Sequence, residues 1–293
     1  MSEELKQGMV PAGSSPIVKN DPRNYGKLIV DKVVSNEFLF WDGTNPVLGA
    51  VDKAQHIEYF EDFIMCGFVP DDELANESNP SSGMFSEVAD SAQYLVSLAT
   101  VGEAAVITAS DNAHGGWLTL TTVDTQNHPI NVQQNGTPWY LSVGKKLWFD
   151  ASVLIGDIDA EKWFIGLSIP STDILASGVG TVDDIIGFCG LATSAIQFIS
   201  NKDGTDSIDA TAGTVADGTI ATASTKKKRL SFYWDGVDTV NYYIDGVLAG
   251  SMNTTDDDIN TDEGMAISFV CDNTEAGTAE GIFIDYIHVV CER

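Results

Sequence analysis

From Lys27 onward the chain is written in short runs of Val, Ile, Thr, Tyr, Phe and Trp, cut every few residues by Gly, Asn, Asp or Pro. Runs this short do not make buried helices. Their branched and aromatic side chains suit a pleated surface, so they read as strands. They are KLIVDKVV, HIEYFEDFIM, WLTLTTV, KLWFDASVLI, KWFIGLSI, IIGFCGL, IQFISNKDG, RLSFYWDG, VNYYIDGVLAGSM, MAISFVC and GIFIDYIHVV. Asp-Gly at 203–204, 235–236 and 245–246 supplies the residues of tight hairpins, which predicts antiparallel neighbours. Residues 86–100 read as a short helix or an irregular segment, and no longer stretch repeats its apolar residues at helical spacing.

Many strands with no alternating strand–helix rhythm predict an all-β fold, two antiparallel sheets packed as a β-sandwich. One such sandwich over residues 27–293 suits a chain of 293 residues that is 43% apolar. Within it, 27–144 forms a less regular N-terminal part. Residues 1–26, with Pro11, Pro16 and Pro22 and no periodicity, read as an extended N-terminal arm that is either a loose end or docks on a neighbouring subunit. Strand alternation puts Leu147, Phe149, Ala151 and Val153 on one side of their strand and Trp148, Asp150 and Ser152 on the other.

Charge narrows the partners. Fifteen Lys and Arg against 43 Asp and Glu give a net charge of −28, a field that repels phosphate backbones and anionic lipid surfaces. Nucleic acid and membranes are therefore not expected as partners. The N-terminus has no apolar stretch of the secretory kind, so synthesis and residence in a cytoplasm are expected at first. Cys66, Cys189, Cys271 and Cys291 are widely spaced and read as buried free thiols, with no zinc-binding spacing.

The segments KLWFDASVLIGDIDAEKWFIGLSI, RLSFYWDGVDTVNYYIDGVLAGSM and GIFIDYIHVV resemble the strands of concanavalin A-like, laminin-G-type jelly rolls. The likeness includes the Tyr-x-Asp-Gly hairpin at 243–246 and the closing Asp285–Val289 strand. Taken with FLFWDG and HIEYFEDFIM upstream, the order of motifs resembles tailed-bacteriophage head decoration, or cement, proteins. That resemblance implies a concanavalin A-like jelly roll on the outer capsid surface of a virion. It also implies contact with the major capsid protein, homo-oligomerisation with a trimer preferred, and no catalysis. The alternative is a carbohydrate-binding adhesin of a phage tail or fibre that holds a host glycan.

No catalytic residue, metal site or cofactor is expected. Glycoside hydrolases of this fold need two carboxylates on one face, about 5 Å apart when they retain configuration. The nearest candidates are Glu58, Glu61 and Asp62, and Glu58 and Glu61 are three apart and so face opposite sides of a strand. His56, His114, His128 and His288 lack a nucleophile motif, and His288 reads as an outward strand residue. The acidic loops 203–209 and 254–264 lack the spacing of a calcium loop. Trp148 and Trp234 are the candidates for an aromatic sugar platform; the other tryptophans read as core. Lys226, Lys227, Lys228 and Arg229 form the chain's basic run, read as a loop that is either solvated or, with Pro11, Pro16 and Pro22, a contact to the capsid or a sister subunit.

Overall fold

The computed structural model describes residues 37–41, 46–50, 56–61, 94–98, 106–110, 116–171, 174–175, 184–219, 223–275 and 281–292. The arm over 1–26, Cys66 and His114 lie outside the described residues. The chain divides into two compact units, Met1–His56 and Ile57–Arg293. Within the first unit, β1 (Glu37–Trp41) and β2 (Pro46–Ala50) form an antiparallel pair.

The second unit is the sandwich. Its seven-stranded sheet runs in the order β12 (Thr205–Thr214), β11 (Ala195–Lys202), β10 (Ile185–Leu191), β9 (Glu161–Ser168), β16 (Ala266–Asn273), β7 (Ile130–Gln134) and β4 (Tyr94–Leu98). The other sheet runs β15 (Val247–Asn253), β14 (Thr239–Ile244), β13 (Lys228–Trp234), β8 (Leu147–Ile155), β17 (Gly281–Glu292), β6 (Trp117–Thr121) and β5 (Val106–Ser110), with β3 (His56–Glu61) also paired to β17. The expected all-β, antiparallel sandwich is what the chain forms. Tyr94–Leu98 is a strand, which corrects the helical or irregular reading of that part of 86–100. Its YLVSL sequence finds β7 as a partner from Tyr94↔Gln134 to Leu98↔Ile130, and long-range pairing overrides weak local pattern. Among the described residues, one helical turn occurs, α1 (Ala223–Lys226).

Each Asp-Gly pair lies at a turn. Asp203 and Gly204 join β11 to β12, and Asp245 and Gly246 join β14 to β15, all four with positive φ, the backbone of a tight hairpin that matches strand twist. The β13–β14 turn is held differently. The Asp235 carboxylate accepts backbone N–H bonds from Val237, Asp238 and Thr239 at 2.7, 3.1 and 3.1 Å. Burial works to raise its pKa, and the backbone donors outweigh it, leaving the carboxyl below its ordinary value.

Alternation decides the core. Leu147, Phe149, Ala151, Val153 and Ile155 of β8 and Leu230, Phe232 and Trp234 of β13 point inward and are buried. They meet Ile165, Leu167, Phe188 and Phe198 of the opposite sheet in one cluster. Phe149 stacks on Phe232 with centroids 4.9 Å apart, Phe198 stacks on Tyr242 at 4.2 Å, and Phe198 also meets Phe232 edge-on at 5.8 Å. Phe198 thus bonds one sheet to the other.

Two outcomes are expected from this packing. Phe198→Ala will cost about 3–5 kcal/mol of folding free energy, measured by denaturant unfolding. Asp235→Ala will cost about 1 kcal/mol at neutral pH. Because the folded pKa is depressed, that share of stability is present above the ordinary carboxylate range and is lost as pH falls through the folded value. The difference between wild type and variant, followed by thermal melts, will shrink on acidification.

Candidate functional site

The two outer faces of the sandwich are built in different ways. On the seven-stranded sheet the outward side chains Phe164, Ile185, Cys189, Ile199 and Val270 are buried beneath Ile174 and Leu175 of the segment after β9. Polar groups lock that cover down. The Gln133 amide donates to Ser168 Oγ at 2.8 Å, Ser268 Oγ at 2.9 Å and the Ile169 carbonyl at 3.1 Å, while its oxygen accepts the Ser171 N–H at 2.8 Å. Burial pushes the Cys189 thiol up to about 12, so it behaves as a small apolar side chain.

The outer face of the other sheet carries aromatic rings and ion pairs in register. One row runs Asn241, Tyr233, Trp148 and Val290, and the next runs Tyr243, Ser231, Asp150 and His288. Trp148 meets Tyr233 edge-on at 4.2 Å and Tyr243 at 6.5 Å. Phe60 of β3 stacks over Tyr286 at 6.2 Å and meets the His288 ring at 5.6 Å. Phe60 is 57% exposed.

The basic run lies against this face. It is not a loop: Lys226 ends α1, and Lys228 and Arg229 open β13. Arg229 grips Asp150 through Nε at 2.9 and 3.1 Å and Nη2 at 2.6 Å, a two-pronged geometry that only a guanidinium provides. Lys228 pairs with Asp245 at 2.8 Å and Lys227 with Asp285 at 3.0 Å. His288 Nε2 lies 3.1 Å from Glu58 Oε1. The hydrogen bond to Asp150 raises the Arg229 pKa against the opposing effect of burial, and burial, then the Asp150 charge, raises that of Tyr286, which donates to Asp150 at 3.3 Å.

Trp148 therefore lies on an outer face, as strand alternation predicts. Trp234 does not. It is fully buried, and its indole N–H donates to the Ser142 carbonyl at 3.0 Å, which removes it from any sugar platform; the residue that flanks Trp148 is Tyr233. The signal was available, because Trp234 shares its parity with Leu230 and Phe232 while Tyr233 shares that of Arg229 and Ser231. Pro11, Pro16 and Pro22 lie outside the described residues.

Of the two acidic segments expected as loops, 203–209 is the β11–β12 turn and the start of β12, and 254–264 lies against the same end of the seven-stranded sheet. Lys202 bridges Asp262 at 2.9 Å, and Ser200 Oγ donates to the Asp258 carbonyl at 2.8 Å. Asp184 is buried beside them; burial, then the charges of Asp203 and Glu263, raises its pKa. Among the described residues no three His, Cys, Asp or Glu side chains converge as a metal-binding group, and no helix is long and apolar enough to cross a membrane.

The expected outcome for the central ion pair is a coupling of about 1 kcal/mol between Arg229→Met and Asp150→Asn in a double-mutant cycle, reduced by salt because the guanidinium is partly exposed.

The chain matches no protein-family model and no curated protein sequence. Among solved structures it is similar to SO2946 of Shewanella oneidensis MR-1, a protein of unknown function, at 14% identity over 95% of this chain and 97% of that one, with a TM-score of 0.46. It is also similar to a Bacillus licheniformis β-glucanase, at 13% identity over 79% and 97% with a TM-score of 0.45. A third is the endo-1,3-β-glucanase of Streptomyces sioyaensis, at 12% identity over 88% and 97% with a TM-score of 0.41.

Proposed function

We propose that this chain is a structural virion protein that decorates and stabilises a bacteriophage capsid from its outer surface, acting by contact and not by catalysis. The observation that carries the contact reading is the outer face around Trp148. Asp150 there is held by Arg229 and Tyr286, and a carboxylate locked to a guanidinium is a poor general acid or nucleophile. Tyr, Trp and Arg side chains are the types that dominate protein contacts. The capsid itself enters through the resemblance of the strand and hairpin motifs. Cementing of this kind spreads modest contacts over many copies and gains its strength from multivalency. The major capsid protein is then the partner, and the virion surface the location.

A second reading is favoured by one feature of the same face. Trp148 and Tyr233 beside Ser231, Asp150 and Arg229 combine aromatic surface with hydroxyl and charged hydrogen-bonding groups, the mixture a glycan-binding adhesin uses.

Quantitative mass spectrometry of density-purified particles distinguishes them. A copy number comparable with that of the major capsid protein is the expected result. A copy number on the scale of a tail component would favour the adhesin, and absence from particles would overturn the capsid reading.

A further inference from the structure

Asn135 and Gly136 form the one Asn-Gly pair of the sequence. The pair follows β7 and opens the turn that leads to the buried Trp139, and both of its residues are exposed. Gly136 has a φ of +96°, and a Cβ built on it would meet nothing within 4 Å beyond its chain neighbours. Among the described residues, no backbone carbonyl accepts the Gly136 N–H. The nitrogen that follows the asparagine is thus open to solvent and shielded by no side chain.

We propose that Asn135 is a site of spontaneous covalent modification, in which the backbone of Gly136 converts it through a cyclic imide to aspartyl and isoaspartyl residues. Hydroxide takes the proton of the Gly136 N–H, and the nitrogen attacks Asn135 Cγ to form a new N–Cγ bond. The Cγ–Nδ2 bond breaks, and ammonia leaves with, in net, the hydrogen that the backbone nitrogen gave up. One water then opens the ring. Cleavage of the new N–Cγ bond gives aspartate. Cleavage between the same nitrogen and the main-chain carbonyl gives isoaspartate, whose backbone runs through Cβ and Cγ and is longer by one atom. Nothing is oxidised or reduced, and water is the only co-reactant. The attack succeeds because nucleophile and electrophile belong to adjacent residues.

The structure separates this pair from the Asp-Gly pairs. At Asp217–Gly218 the Gly218 N–H is spent on the Ile155 carbonyl at 2.9 Å, and Asp217 Oδ1 accepts the Ile158 N–H at 2.9 Å. The Asp235 carboxylate is held by the N–H groups of Val237, Asp238 and Thr239. That of Asp245 is held by the Arg229 N–H at 3.0 Å and by Lys228 Nζ at 2.8 Å. An ionised carboxylate is also a poorer electrophile than an amide. Asn135 combines the better electrophile with the open nucleophile.

The turn is anchored on both sides. Gln134 Oε1 accepts the Trp139 indole N–H at 2.6 Å, and Trp139 and Met265 exchange backbone bonds at 3.2 and 2.8 Å. The added backbone atom must be absorbed between these anchors, so the modified chain stays folded and differs in the turn and by one negative charge. The inference does not rest on the capsid reading.

The test is peptide mapping by tandem mass spectrometry of the native full chain after incubation in heavy-oxygen water at mildly acidic, neutral and alkaline pH. Enzymatic methylation of isoaspartyl groups gives a second readout. Expected is conversion at Asn135 ahead of every other asparagine, with one heavy oxygen gained, isoaspartate in excess and a rate that rises with pH. Gly136→Ala is expected to slow it about tenfold or more, because the added methyl group hinders the nitrogen, and Asn135→Gln to abolish it at this position. The wild-type chain supplies the decisive comparison, since it needs no variant to fold. Asn135 left intact in the native chain while the urea-unfolded chain converts would overturn the inference, because the fold would then protect the pair. So would earlier conversion at another asparagine, or a rate that falls as pH rises.

Discussion

Contact between Phe198 and the pair Phe232 and Tyr242 across the sheet interface determines which side chains of β13 and β14 face outward. Strand alternation has a period of two, so a one-residue slip of β13 would expose Phe232 and bury Arg229. Rings of this size lose several kcal/mol when they leave a core, far more than a surface ion pair contributes. Packing therefore fixes the parity of β13 and β14. Arg229, Ser231, Tyr233 and Tyr243 stand outside because Leu230, Phe232 and Tyr242 stand inside.

The two outer faces then show two solutions to the same problem of apolar surface. Behind the seven-stranded sheet the chain covers itself, and Ile174 and Leu175 close over Phe164 and Val270. Gln133 satisfies the backbone of the covering segment at the same time, as buried polar groups require. The other sheet keeps its rings at the surface and matches its carboxylates with cations. With 15 Lys and Arg in the whole chain, three of them in succession on one face is a concentrated use of a scarce residue type.

How much of this could be read beforehand follows from what each feature depends on. The sandwich, the Asp-Gly hairpins and the outward position of Trp148 depend on local pattern, and they were legible. Trp234 was legible too, but its size suggested a platform where its parity indicated core. The basic run looked like a loop because Lys is a poor strand former; its Lys228 and Arg229 instead open β13, where Asp245 and Asp150, distant in sequence, pair with them. The cover over Phe164 depends on Gln133, Ser168 and Ser268 meeting across three strands, and no local signal records that meeting. Nor did the acidic loops announce that Lys202 would join them.

The last element of the face comes from a single extra residue. A regular alternation from Ile282 and Ile284 would send Tyr286 into the core and Ile287 out to solvent. The register of β17 against β8 shifts between Ile284 and Tyr286, the mark of a bulge, in which two residues of one strand oppose one of its partner. Ile287, Val289 and Cys291 thereby return to the interior, and Asp285 and Tyr286 both come to the outside. Each finds a partner there, Asp285 with Lys227 and Tyr286 with Asp150, and Phe60 has a ring to stack on. Removing the bulge would preserve the strand while exchanging the two faces of its second half. The outer site thus depends on an irregularity in the backbone ladder as much as on the side chains that line it.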